Sequence, residues 1–113
     1  MKAARRLRQT CDFARVRQEG KVYRHPVMLL SLRGNGLPGN RYGFVVSKRL
    51  GNAVSRNRCK RRLRNLVDSI HDRLRQGYDI IIVAKPAILQ QPYSELRRIV
   101  NVMFQRACLL QVG

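Results

Sequence analysis

Between residues 59 and 74 the apolar positions keep a helical period. Cys59, Leu63, Leu66, Val67, Ile70 and Leu74 stand at offsets 0, 4, 7, 8, 11 and 15. That spacing puts all six on one stripe of an α-helix. Gly77 ends the pattern, and residues 78–84 follow as a strand-length run dominated by Ile and Val, closed by Lys85-Pro86. A second stripe, Leu96, Ile99, Val100, Met103, Ala107 and Leu110, predicts a last helix starting near Ser94. Glu95 falls in its first turn, where the helix dipole favours an anion.

The amino-terminal half is less periodic. Residues 1–9 read as a flexible basic arm. Thr10 is a candidate cap for a short helix over residues 11–18, which Gly20 stops. Phe13 and Val16 share one face of it. Residues 27–32 are an apolar run of strand length entered through Pro26, and residues 21–23 extend the same edge. Residues 34–40 are dense in turn formers. Residues 41–47 read as the return strand of a hairpin, and residues 48–52, with Gly51, as a loop. The expected order is helix, two or three strands, helix, strand, helix. That is an α+β sandwich: one sheet of three to four strands with helices packed on it.

The 113 residues fit a single domain. Apolar residues make up 44%, too many for a disordered chain. Charge changes the picture most. There are 24 Lys plus Arg against 6 Asp plus Glu, a formal net charge of +18. A chain so charged repels itself and favours a polyanion. Nucleic acid fits best, since neutralised phosphates release counterions. Arg outnumbers Lys heavily, and its planar fork pairs with phosphate and stacks on bases. The longest apolar runs are far shorter than the roughly 20 residues of a membrane-spanning helix. The basic start lacks the apolar stretch of a signal peptide, so the expected compartment is the cytoplasm.

Catalytic chemistry is thin. Cys11, Cys59 and Cys108 are odd in number and widely spaced, and read as reduced thiols, not metal ligands. His25 and His71 are isolated, and His71 is expected to be exposed. Asp68 and Asp72 are i,i+4 neighbours that either share a hydrated metal or, more simply, pair with Arg64 or Arg75. There is no Gly-rich phosphate loop and no nucleophile motif. No residue of the chain is assigned a catalytic role.

The cations concentrate in one place. From Lys48 to Arg64, eight of seventeen residues are basic and none is acidic. The apolar stripe beginning at Cys59 threads this tract, so a docked helix would hold the cations in fixed geometry. At about 100° per residue, Asn57, Arg61 and Arg64 lie opposite the stripe, flanked by Arg58, Lys60 and Arg62. Arg56 falls nearer the core side and is expected to reach sideways from the first turn. A face selected for solubility alone would mix signs and gain i,i+4 pairs. This one gathers like charges, at a cost that a polyanion relieves. Asn57 adds a neutral donor and acceptor for sugar or base edges.

The stretch from Tyr42 to Arg64 reads Tyr-Gly-Phe-Val-Val-Ser-Lys-Arg-Leu-Gly-Asn-Ala-Val-Ser-Arg-Asn-Arg-Cys-Lys-Arg-Arg-Leu-Arg. It resembles the signature of the bacterial ribonuclease P protein component. Asp12-Phe13, Gly20-Lys21, residues 78–82 and Lys85-Pro86-Ala87 agree with that family as well. The resemblance implies an α+β sandwich with a left-handed βαβ crossover, against the ordinary rule. It implies a protein monomer assembled with one large catalytic RNA, which removes the 5′ leader of precursor tRNA with magnesium ions held mainly by the RNA. The protein would be an accessory subunit, inactive alone. Lys48, Arg49, Asn52, Arg56, Asn57, Arg58, Lys60, Arg61 and Arg64 match the RNA-contacting motif, and Arg62 joins them from the helical wheel.

The family's second surface is a cleft between the first helix and the sheet that receives the leader. Phe13 matches there. Arg17 and Leu30 stand where aromatics are often found, so base stacking is reduced and Arg17 is expected to act by charge or cation–π contact. Plain core packing is the other reading of Phe13 and Leu30. Two rival functions fit the same charge: a general RNA-binding or ribosome-associated basic protein without a role in cleavage, and a membrane-active cationic protein. The absence of Trp argues against the second.

Overall fold

The computed structural model describes residues 5–110. Its elements are α1 (Thr10–Glu19), β1 (Lys21–Arg24), β2 (Met28–Gly34), β3 (Arg41–Val45), α2 (Ala53–Ile70), β4 (Tyr78–Ala84) and α3 (Tyr93–Arg106), with 3-10 turns at Lys48–Leu50, His71–Arg73 and Pro86–Gln90. The four strands form one mixed sheet in the order β1-β2-β4-β3. β2 pairs antiparallel with both β1 and β4, and β3 runs parallel to β4. Parallel neighbours cannot be joined by a tight turn, so α2 makes the crossover between them.

The sheet buries both faces, unequally. Side chains alternate along each strand, and partnered residues share a face. One face carries Leu30, Leu32, Ile80, Ile82 and Tyr42, which pack with Leu63, Val67 and Ile70 of α2 and Leu96, Val100, Met103 and Phe104 of α3. Each such side chain contributes roughly 1.5–3 kcal/mol on burial. The opposite face carries Ile81 and Val83, which among the described residues pack with Leu7 and with Phe13 and Val16 of α1.

Four expectations are corrected. Residues 41–47 are not the return strand of a hairpin: β4 lies between β2 and β3, and β3 pairs parallel with β4. The arm over residues 1–9 is not free along its length. Residues 1–4 lie outside the described residues, but Arg6 bridges to Tyr42, the Leu7 amide donates to the Tyr42 carbonyl at 2.8 Å, and Leu7 is buried. Leu7 is the apolar residue that fastens the segment to β3. Thr10 does not cap α1; it lies inside the helix, and Gln9 takes the cap position without a side-chain bond. His71 is buried, not exposed. The α-helix stops at Ile70, and the tighter 3-10 turn swings the imidazole inward. Its Nδ1 lies 2.7 Å from the Tyr42 hydroxyl.

That hydroxyl also accepts from Asn40 Nδ2 at 3.2 Å. Asn40 is buried; it donates to the Arg75 carbonyl at 2.8 Å and accepts from the Tyr78 amide at 2.9 Å. Burial pushes the Tyr42 phenol up to about 12, against a smaller opposing effect of the Asn40 bond. This network satisfies polar groups that would otherwise be costly to bury, and it ties the start of β3 to the segment between α2 and β4.

Candidate nucleic-acid interface

The basic tract begins where β3 ends. After Val45 the chain turns through Lys48–Leu50, burying Leu50 and leaving Lys48 and Arg49 exposed. Gly51 follows with φ of 119°, a conformation that suits glycine alone. Asn52 is the N-cap of α2: its side chain accepts from the Ser55 amide at 2.9 Å. The resemblance implies RNA contact for Asn52; the structure gives it this capping bond.

α2 buries Cys59, Leu63, Leu66, Val67 and Ile70, as its period requires. Cys59 is a buried thiol pushed up by desolvation. On the outer side Asn57, Lys60, Arg61 and Arg64 line one shallow depression together with Val54. Val54 is 74% exposed, an apolar residue in the cationic ridge that periodicity did not single out. Arg56 is half-buried, as its position nearer the core side led us to expect. Arg58 and Arg62 face elsewhere. They line a groove between α2 and the start of α3, where an Arg62 guanidinium nitrogen donates to the Gln91 carbonyl at 3.2 Å. The wheel put Arg62 on the flank of the ridge; the structure turns it away from the ridge.

The cleft is the partly open face of the sheet beside α1. Its register decides the lining. Leu30 pairs with Ile82 and Tyr23, is fully buried, and belongs to the α2–α3 core. Its assignment to the cleft is therefore wrong by one residue, and Leu29 takes the place. Leu29 pairs with Val83, and Val83 with Val45, giving an aliphatic row that crosses three strands. Leu29 and Val83 are half-buried, and Val45 is 37% exposed. Phe13 is half-buried and packs against Val83's cluster; Arg17 is exposed on α1. The row ends two residues before Ser47, so the cleft floor runs towards the basic tract.

The deeper end of this face is closed by charge. Arg41 holds Asp79 through two bonds, at 2.8 and 2.7 Å, and reaches Asp12 of α1 at 3.5 Å. Asn35 also donates to Asp79 at 3.0 Å. Asp79 is almost fully buried, and its partner is 38 positions away in sequence, so only the parallel pairing of β3 with β4 reveals it. Among the described residues no cluster of three or more His, Cys, Asp or Glu is gathered to hold a metal ion. No described helix is long and apolar enough to cross a membrane.

A family model for ribonuclease P matches residues 1–108. The ribonuclease P protein component of Symbiobacterium thermophilum is 42% identical over 113 residues, covering 98% of this chain and 97% of that protein. That of Chloroflexus aurantiacus is 39% identical over 111 residues, covering 97% and 82%. Among solved structures, a Staphylococcus aureus RNase P protein mutant with defective mRNA degradation activity superimposes with a TM-score of 0.90 at 26% identity, over 95% of this chain and 91% of that one. The Thermotoga maritima RNase P protein gives 0.80 at 26%, over 88% and 96%.

Proposed function

The chain belongs to the ribonuclease P protein family, and from that premise we propose how it works as the protein subunit of the ribonucleoprotein that matures the 5′ end of tRNA. Its partner is the ribonuclease P RNA. The ridge of Asn57, Lys60, Arg61 and Arg64, continued by Lys48 and Arg49, grips that RNA. Arg56 supports it from the first turn of α2, and Arg58 presents a further cation from the neighbouring groove. The observation that carries this reading is the docking of α2 by its buried stripe. A rigid helix holds like charges at fixed spacing, so phosphates can match them without a further ordering cost.

The aliphatic row of Leu29, Val83 and Val45, walled by Phe13 and Arg17, receives the leader of precursor tRNA. It has no aromatic floor, so contact there is by backbone charge and apolar packing instead of stacking. Magnesium is supplied to the RNA's own phosphates; neutralisation by the protein reduces the need for it. The holoenzyme contains one protein and one RNA, and acts in the cytoplasm.

Reconstitution tests the reading. With a ribonuclease P RNA at limiting magnesium, the chain should restore leader removal from precursor tRNA. The chain alone, stringently freed of RNA, should cleave nothing. Failure to stimulate the RNA at any magnesium concentration would leave a general RNA-binding protein as the better description.

A further inference from the structure

The groove beside α2 is separate from both the ridge and the cleft. It encloses about 600 Å³, within the range of small-ligand sites. Its floor is apolar: Cys59, Ile88 and Leu96 are each 5% exposed or less. Its rim is cationic and aromatic, with Arg58 exposed at the mouth. The Arg62 guanidinium carbon sits 5.7 Å from the Tyr93 ring centroid, and its bond to the Gln91 carbonyl fixes it there. Tyr93 remains 44% exposed, and Leu89, which also lines the groove, 44%. Large side chains so open to water beside a dry floor mark a site built to be covered.

We infer that this groove takes one unpaired nucleotide of the ribonuclease P RNA, its base stacked on Tyr93 and its phosphate held by Arg58. The chemistry favours RNA over a peptide. A base has a flat apolar body for the floor and ring, and an anionic tail for the arginine. A peptide would meet two guanidinium groups with no acid among the lining residues to balance them. Position agrees. Arg61 and Arg62 are consecutive, hence about 100° apart around the helix axis. A strand whose backbone follows the ridge therefore has the groove within one nucleotide's swing. This inference rests on the assignment of the ridge to RNA and adds a subsite to it.

The two claims separate by salt dependence. Stacking releases no counterion, whereas each phosphate contact contributes about one unit of log–log salt slope. Full-length protein would be titrated with a ribonuclease P RNA transcript across a range of KCl, with circular dichroism checking each variant's fold. Tyr93→Ala should bind about tenfold more weakly at fixed salt with the slope unchanged, and Tyr93→Phe should bind as the parent. If the parent binds and Tyr93→Ala binds equally well, the subsite is overturned while the ridge stands. If Tyr93→Ala loses affinity and about one unit of slope together, Tyr93 only positions Arg62 and base stacking is overturned. If the parent itself fails to bind, the reading of the ridge falls and the subsite with it.

Discussion

The ring of Phe13 lies so close over Gly43 that a Cβ on the glycine would stand 2.6 Å from its Cζ. α1 can therefore approach β3 only where the strand has no side chain. Gly43→Ala should push the ring off its seat against Leu7, Val16 and Val83 and cost about 1–3 kcal/mol, as overpacking does. Urea denaturation measures it. Combined with Phe13→Ala, the same change should cost less than it does alone; equal cost in both backgrounds would mean the contact is not the cause.

Arg41 and Asp79 form a second close relationship on that face. Arg41→Ala strands a buried carboxylate with only Asn35 beside it, and the expected loss is about 3 kcal/mol. Replacing both partners, as in R41M with D79L, should recover much of it, because no charge is then left buried. A double variant weaker than Arg41→Ala would contradict this account.

The ridge makes a prediction about RNA and none about stability. Arg61→Ala with Arg64→Ala should leave the fold intact and lower the salt slope of RNA binding by about two units, one per lost phosphate contact. Filter binding over a series of KCl concentrations reads both affinity and slope.

Asn52 carries a stability prediction. Asn52→Ala removes the bond to the Ser55 amide and should cost about 1 kcal/mol, whereas Asn52→Ser keeps a capping oxygen and most of the stability. Comparing RNA binding of the two variants separates capping from contact. If Asn52→Ser restores stability and binding together, the cap explains both.

His25 is held below its ordinary value of 6.5, first by desolvation and then by Arg98, Arg106 and Lys85. Its Nδ1 accepts from the Val27 amide at 3.1 Å, a bond that protonation removes. The unfolded chain therefore takes up this proton at higher pH than the folded one. Stability from this site is complete above 6.5 and declines as pH falls from there through the folded value. An NMR titration of the imidazole should show a midpoint below 6.5, and His25→Gln should flatten that part of the stability profile.

The sequence was most legible where one period governed. Cys59 to Ile70 lies on one stripe because α2 has one wet side, and the ridge followed from the same wheel. β2 was less legible because Met28, Leu30, Ser31 and Leu32 are all buried. A strand dry on both faces shows no alternation, so only the pairing of Leu29 with Val83 told Leu29 from Leu30. His71 was misplaced because its partner Tyr42 is 29 positions away. Arg62 was misplaced because Tyr93 and Gln91 turn it sideways, and a helical wheel knows nothing of a neighbouring helix. Leu7 hid in a run of arginines, where a single apolar residue carries no period.

The unequal covering of the sheet has a further consequence for how copies of the chain behave towards each other. Val22 on β1 and Val45 on β3 are both exposed, at opposite edges of the face that α1 covers incompletely. The Arg6–Leu7 segment covers part of the β3 edge, but β1 is an open edge of the kind that invites strand-to-strand association, which Lys21 and Arg24 resist by charge. Colloidal stability thus depends on electrostatic repulsion between molecules, so small amounts of heparin or polyphosphate should cloud a solution of the protein, and an excess should clear it.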